Sequence, residues 1–291
     1  MHAYASAVAE GWRALIVEDA GAWKGVMPYY PKKKWGLQYA LQPAFCQTWG
    51  PILAPPAKGI AYNRHSEQQV ILEALASALP PFSYTYCHCH SDLEYILPFQ
   101  QQGFQAGVRF THLLALDKPE SLRDGLSSQA KRKLKKSEKA GHSIRITQDP
   151  ENLIQISWKN KQDGHDLWGG MKGAEVALQK LCCLPQSKVT VIEVLSPGGE
   201  CVAAGAFAFW NGRAYYLAGG QVPALKNQGA MYRLLWEAIS HAQGKGFHTF
   251  DFEGSMVPGI ARFFRQFGAS PKPYFSLTKN RLPLWVRWMR A

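Results

Sequence analysis

Residues 219–268 read GGQVPALKNQGAMYRLLWEAISHAQGKGFHTFDFEGSMVPGIARFFRQFG and decide the fold of the chain around them. They hold a turn, a helix, a strand and a second helix in immediate succession. Apolar residues recur at helical spacing from Met231 onward, and Gly244 marks the end of that helix. Pro258 favours the start of the second helix, and Gly268 supplies its stop. We expect a functional site within this segment.

The strand between the two helices, residues 247–253, alternates with period two. Asp251 and Glu253 therefore point to one face, and His248, Phe250 and Phe252 point to the other. Two neighbouring carboxylates suit a general base for an amine, because proximity raises the pKa of one of them. The alternative is structural, with Asp251 capping the turn or pairing with Arg262. Tyr216, in the preceding strand, is a further catalytic candidate through its hydroxyl, with burial in the core as its alternative.

Length and composition limit the number of domains and the kinds of partner that we expect. A chain of 291 residues is long enough for two domains. Lysine and arginine total 33 against 21 acids, giving a net charge of +12 that favours polyanionic partners or simply solubility. The sequence lacks a long apolar run and a signal-peptide pattern, and its six cysteines lack a disulfide spacing, so we expect a soluble, cytoplasmic protein.

The order of predicted elements repeats between the two halves of the chain. Each half reads as a strand meander, a long helix, a strand, a short helix, a glycine and a strand. In the first half, the meander is predicted to contain three strands, at residues 13–18, 22–30 and 35–41. This order indicates an α/β (α+β) protein made of two copies of one fold. The domains are predicted at residues 1–120 and 142–291, and the short start of the first leads us to expect that it is incomplete there.

Two further segments carry chemistry in the sequence. Cys87 and Cys89 alternate with His88 and His90 along a predicted strand, so thiols and imidazoles face opposite sides and we expect no metal site. Residues 121–141 form a basic helix that connects the domains. Its cations favour contact with a phosphate backbone, and a solvated connector is the alternative. The cations are Lys131, Arg132, Lys133, Lys135, Lys136 and Lys139.

The second half of the chain resembles a known family of folds. The order of meander, glycine-containing turn, helix, strand and helix is similar to the second half of the GNAT acyltransferase fold. The run from Asp251 to Ser255, followed by Gly259, Phe263, Phe264 and Phe267-Gly268, resembles the C-terminal signature of tandem-GNAT proteins. These include the Fem-type peptidoglycan aminoacyltransferases and the CelD/BcsL-type acetyltransferases. The resemblance implies two tandem GNAT-like domains, each a mixed, mostly antiparallel sheet flanked by helices.

The same resemblance implies where an acyl donor binds. GNAT enzymes hold the pyrophosphate of coenzyme A on backbone N–H groups at a helix start, a location that a helix dipole also favours. The family pattern is Arg or Gln, two residues, Gly, one residue, then Gly or Ala, and this chain departs from it at the first and last places. The expected donor residues are Lys226, Gln228, Gly229, Ala230 and Met231. Plain helix entry is the alternative for the glycine, and Ser255 and Arg262 are expected to contact substrate.

We therefore expect an N-acyltransferase that moves an acyl group from acyl-CoA to an amine of a small molecule or peptide, in a cleft between the domains. One alternative is a Fem-type transferase that uses aminoacyl-tRNA, bound through Lys131 to Lys139, and acts on a peptidoglycan precursor. The other is a non-catalytic binding protein on the same fold. No metal is implied by any of the three.

Overall fold

The computed structural model describes residues 2–55, 60–117, 122–162, 173–254 and 256–283, and the chain divides into two compact units. Unit 1 comprises Met1–Val8 and Phe110–Lys272, and unit 2 comprises Ala9–Arg109 and Pro273–Ala291. Each unit is thus built from two separate segments of the chain. The contiguous domains 1–120 and 142–291 stay a prediction.

Helices occur in both units. In unit 1 they are α1 (His2–Val8), α4 (Ser128–Lys139), α5 (Glu151–Gln162), α6 (Ala174–Cys183), α7 (Ala230–Gly244) and α8 (Pro258–Arg265). In unit 2 they are α2 (Ala61–Ala78) and α3 (Leu97–Gln101). Within the described ranges, no helix combines the length and the hydrophobicity needed to cross a lipid bilayer.

Unit 1 is a mixed, mostly antiparallel sheet. Its strands, in spatial order, are β7 (Gln105–Ala115, which begins in unit 2), β12 (Thr249–Gly254), β11 (Arg213–Gln221), β10 (Cys201–Trp210), β9 (Val189–Leu195) and β8 (Ser143–Thr147). All neighbours run antiparallel except β11 and β12, which run parallel. The turn Asn211-Gly212 joins β10 to β11, and both residues have the positive φ that a tight two-residue turn requires.

The core of unit 1 lies against the face of this sheet covered by α7 and α8. The side chains of Leu234, Leu235 and Ala238 are fully buried, as the helical spacing in the sequence predicted. From the strands, Phe207 and Phe250 enter the same cluster. Because α7 has a polar outer face and an apolar inner one, burying the inner face fixes its rotation on the sheet.

Unit 2 contains two small sheets, and here one prediction is wrong. The strands β1 (Arg13–Asp19) and β2 (Ala22–Tyr29) pair as expected, but their third strand is β5 (Ile52–Leu53). The residues predicted as the third strand instead pair with those before them, as β3 (Pro31–Lys34) and β4 (Leu37–Ala40). That hairpin continues into a second sheet with the order β3-β4-β6-β13, where β6 is Tyr84–His88 and β13 is Ser270–Asn280.

The basic helix α4 is a packed element of unit 1. Ser127 caps it by accepting a hydrogen bond from Ala130 N at 3.1 Å, and Leu134 is 4% exposed. The helix packs across the start of α7, where Gly229 has φ +83°. A Cβ at residue 229 would overlap the carbonyl oxygen of Lys133. Only glycine fits both the backbone conformation and this close approach.

Replacing Gly229 by alanine should therefore destabilise unit 1. We expect Gly229→Ala to lower the free energy of unfolding by about 2 to 4 kcal/mol, from left-handed strain and overpacking together. Chemical unfolding followed by circular dichroism measures this. The control is Gly244→Ala in the same helix, where an added Cβ meets no atom within 4 Å, and it should be neutral or stabilising by up to about 1 kcal/mol. Equal effects of the two substitutions would contradict the packing argument.

Candidate functional site

The parallel strands β11 and β12 separate soon after they begin to pair. Their register joins Arg213, Ala214 and Tyr215 to Thr249, Phe250 and Asp251. Beyond this point β11 stays beside β10 as far as Gln221, while β12 stays beside β7, with which it pairs from Thr249 to Gly254. The described strands thus open a wedge between their backbones. An extended ligand can add hydrogen bonds to strand edges that diverge in this way.

A bulge in β11 lies at the mouth of this wedge. Ala218 pairs with Ala206 and Tyr216 pairs with Phe207, which leaves Leu217 as an extra residue. A bulge interrupts the ladder and re-aims the backbone groups of the extra residue. Leu217 is the second residue after the last β11–β12 pair, so its amide is placed where the two strands part.

A second irregularity lies opposite, in β12. The pairing with β7 passes from Asp251–Leu113 directly to Gly254–Thr111, so β12 holds an extra residue here too. Glu253 has φ +58°, a left-handed conformation that is uncommon for glutamate. The period-two alternation predicted through Glu253 therefore ends at Phe252. Backbone strain of this kind occurs where surrounding structure holds it, often at functional sites.

Asp251 is buried and fully engaged by neighbouring groups. Its Oδ1 accepts hydrogen bonds from Thr111 Oγ1 at 2.5 Å and from the Glu253 amide at 2.9 Å. Its Oδ2 lies 3.5 Å from Arg213 Nη1. Burial raises the pKa of Asp251, and the hydrogen bonds and the Arg213 guanidinium act against that increase. The geometry supports the structural alternative for Asp251, with Arg213 rather than Arg262 as its cation.

Glu253 and Tyr216 are close enough to influence each other electrostatically. Burial and the charge of Asp251 raise the pKa of Glu253 well above its usual value. Burial raises the pKa of Tyr216, and the charge of Glu253 adds to the increase. The Tyr216 ring stacks on Phe207 at 5.4 Å and meets Phe264 edge-on at 6.1 Å, so its position is fixed by the core. Both predicted groups therefore lie together at the wedge.

The predicted donor loop forms a short 3-10 helix, Pro223–Gln228, in front of α7. Gln228 Oε1 accepts a hydrogen bond from His142 Nε2 at 3.2 Å, and the other ring nitrogen, His142 Nδ1, lies 2.7 Å from Ser137 Oγ. Gly229 and Ala230 are buried beneath α4, whereas Gln228 and Met231 are half-buried. The glycine of the motif thus has a packing reason of its own, and phosphate contact would have to come from the outer side of the loop.

Ser255 and Arg262 are the two residues predicted to contact substrate. Ser255 lies outside the described residues, and so does the side chain of Lys226. Arg262 is exposed on α8. Among the residues that the structure describes, no group of three or more His, Cys, Asp or Glu side chains is arranged to hold a metal ion.

Three residues of the site were missed in the sequence. Thr111 and Arg213 are the partners of Asp251, and Leu217 is the bulged residue. Arg213 follows the turn Asn211-Gly212 and is the first residue of β11. Turn residues in the sequence therefore could have indicated that it lies at the start of a strand beside β12. Thr111 is 140 residues from Asp251, and no local signal connects them.

The raised pKa of Glu253 leads to a prediction for stability against pH. The folded-state pKa exceeds the unfolded value of 4.5, so the stabilising contribution is present below pH 4.5 and is lost as pH rises through the folded pKa. Glu253→Gln lacks this loss, so its stability relative to the parent protein should increase as the pH rises above 4.5. Chemical unfolding from pH 4 to 9 measures the difference. The exposed Glu94→Gln is the control, and a constant difference for Glu253→Gln across that pH range would contradict the assignment.

Comparison with known proteins agrees with this architecture. Residues 126–265 match the model of the Acetyltransferase (GNAT) domain. No curated protein matches the sequence. Among solved structures, FemX is similar over 96% of this chain and 90% of its own, with a TM-score of 0.63 and 13% identity.

Two other solved structures are similar over nearly the whole chain. L-PGS from Bacillus licheniformis has a TM-score of 0.56 and 14% identity, covering 96% of this chain and 87% of its own. A tandem GNAT protein from the clavulanic acid biosynthesis pathway has a TM-score of 0.51 and 11% identity, with 97% and 89% covered. At such identities the likeness concerns the fold. Residues 126–265 are therefore similar to the GNAT acetyltransferase domain, and the chain as a whole has the tandem-GNAT fold.

Proposed function

We propose that this protein is an N-acyltransferase that moves an acyl group from acyl-CoA to an amine. The observation that carries the proposal is the wedge between β11 and β12, with the Leu217 bulge on one side and Glu253 on the other. An acyl-CoA has an extended, amide-containing arm that can pair with a strand edge. The wedge supplies such an edge and places a carboxyl group beside it.

The chemistry proposed for the site is direct transfer. The amine attacks the thioester carbonyl, a C–N bond forms, the C–S bond breaks, and the thiolate leaves. Glu253 accepts the proton of the attacking amine, and a carboxylate whose pKa is raised by burial is a stronger base than an ordinary one. Tyr216 is proposed to return a proton to the thiolate. Backbone amides at the Leu217 bulge are proposed to face the developing oxyanion, which stabilises the transition state without reorganisation.

The remaining predicted residues keep supporting roles in this proposal. Asp251 holds β7, β11 and β12 together and so positions Glu253, since it accepts a hydrogen bond from the Glu253 amide. The outer side of the donor loop, including Lys226, Gln228 and Met231, is proposed to meet the phosphates, with Gly229 and Ala230 contributing backbone only. Ser255 and Arg262 are proposed to contact the substrate.

The test is acyl transfer with purified protein, acetyl-CoA and a panel of amines, followed as release of free thiol. We expect Glu253→Gln to lower kcat by about 10² to 10⁴-fold with little change in KM, and Tyr216→Phe to lower it by about 10 to 100-fold. Glu94→Gln should match the parent protein. Transfer that is unchanged in both site variants would refute these roles. Binding of acetyl-CoA without transfer to any amine would instead favour the non-catalytic binding protein.

A second candidate, an aminoacyl-tRNA donor, is favoured by the placement of α4. This helix packs against the start of α7, and Lys133 Nζ donates to the Asn227 carbonyl of the donor loop at 3.4 Å. Its outer face therefore borders that loop. The exposed cations on this face are Lys131, Arg132, Lys135, Lys136 and Lys139. Such a row suits the phosphates of a nucleic acid, and the similarity of fold to FemX supports this candidate.

Salt dependence of tRNA binding distinguishes this candidate from the first. Replacing Lys131, Lys135 and Lys139 by glutamine should reduce the slope of log affinity against log salt by about 2 to 3, because fewer counterions are released. The control replaces Lys32, Lys33 and Lys34, an equally exposed basic run in unit 2, and should leave the slope unchanged. Equal slopes in both triple variants, or affinity of the parent protein that does not respond to salt, would exclude α4 as the tRNA contact.

A further inference from the structure

Unit 2 carries a polar face on its second sheet that the proposed transfer does not use. On β6, Cys87 and the neighbouring Cys89 are buried, while Tyr86 and His88 point to the opposite, half-buried face. On β13, Ser276 pairs with His88 and shares that face. The ring of Tyr274 lies 5.4 Å from the His88 ring. Tyr86, His88, Tyr274 and Ser276 thus present aromatic, imidazole and hydroxyl groups on one face of this sheet.

The neighbouring groups indicate a tautomer for His88. Gln42 Nε2 has two hydrogens and lies near three acceptors, Cys46 O at 2.5 Å, Gln47 O at 2.8 Å and His88 Nδ1 at 2.9 Å. We assign its two hydrogens to the two carbonyl oxygens, which leaves His88 Nδ1 to donate to Gln47 O at 3.0 Å. The lone pair of His88 Nε2 therefore accepts from the Tyr86 hydroxyl at 2.7 Å. The Tyr86 oxygen is left with its own lone pairs as acceptors.

Arg109 adds a positive charge to this face. Its Nε donates to the Tyr274 hydroxyl at 3.3 Å, which holds the guanidinium beside the ring that packs on His88. Among the residues that the structure describes, no carboxylate lies within ion-pair distance of Arg109, although the side chain is half-buried. Burial lowers the pKa of His88 to about 4, and the nearby Arg109 charge contributes to the decrease. A half-buried arginine without a carboxylate beside a neutral histidine is electrostatically uncompensated.

We propose that this face of unit 2 binds a ligand through a carboxylate or phosphate group, with Arg109 as its charged contact. The guanidinium fork matches the two oxygens of such a group, and it disfavours a metal cation. The Tyr86 oxygen accepts a hydrogen bond from an O–H or N–H on the same ligand. The ligand class is therefore a small hydroxy or amino acid, or a phosphate that retains a proton. This site is independent of the proposed acyl transfer.

His88 provides the readout, because its ring lies within the site and its nitrogens report on their hydrogen bonds. The experiment titrates the full chain, labelled with ¹⁵N-histidine, with inorganic phosphate in one arm and lactate in the other, and follows the ring signals by NMR. We expect a saturable shift of the His88 signals in at least one arm, and the arm that saturates identifies the anion class. Arg109→Gln should weaken binding by about 10 to 100-fold, and Arg109→Lys by less.

Arg64→Gln, an exposed arginine on α2 of the same unit, is the matched control and should bind like the parent protein. The proposal is overturned if the His88 signals of the parent protein do not move with either anion, or move without saturation. It is also overturned if Arg109→Lys and Arg109→Gln bind as tightly as the parent. The titration contains no acyl donor, so its outcome is separate from that of the transfer assay.

Discussion

The buried carboxylate of Asp251 is the interaction on which the architecture of unit 1 depends. It accepts from Thr111 in β7, faces Arg213 in β11, and belongs to β12 between them. One charged group thus joins three neighbouring strands at the place where the parallel pairing ends. Burying a charge is costly unless it is hydrogen-bonded and paired, and removing one partner of such a set leaves that cost uncompensated. The contacts of Asp251 therefore fix the point at which β11 and β12 separate.

The wedge follows from this constraint. Because Asp251 holds the last parallel pair, the chain beyond it has to diverge, and the two strands do so through the Leu217 bulge and the left-handed Glu253. Behind them, Phe252 and Phe264 pack at 5.0 Å and Tyr216 adds its ring to the same cluster. A rigid aromatic layer therefore supports strained backbone, which is the arrangement that positions reactive groups without requiring them to reorganise.

Much of the second half of the chain was predictable from local pattern. The helical spacing from Met231 onward predicts the buried stripe of α7, and Gly244 is the last residue of that helix, as predicted. The alternation of Cys87 with His88 likewise predicts that the two side chains face opposite sides of β6, and Cys87 is buried whereas His88 is half-buried. The first half was read less well. β5 is only two residues long, and its pairing with Val26 is set by contacts that no local pattern records.

By itself, the sequence determined the type and order of the elements in residues 219–268, and hence the family of folds, because hydrophobic spacing and capping residues act within one or two turns of chain. It also placed Glu253 and Tyr216 among the candidates for the site. Only the tertiary structure decided that Asp251 accepts hydrogen bonds from Thr111 and from the Glu253 amide, that Gly229 packs on Lys133, and that the alternation breaks at Glu253. These three features depend on strand register and on contacts between backbone segments that are distant in the sequence. No interaction between sequence neighbours connects the residues involved.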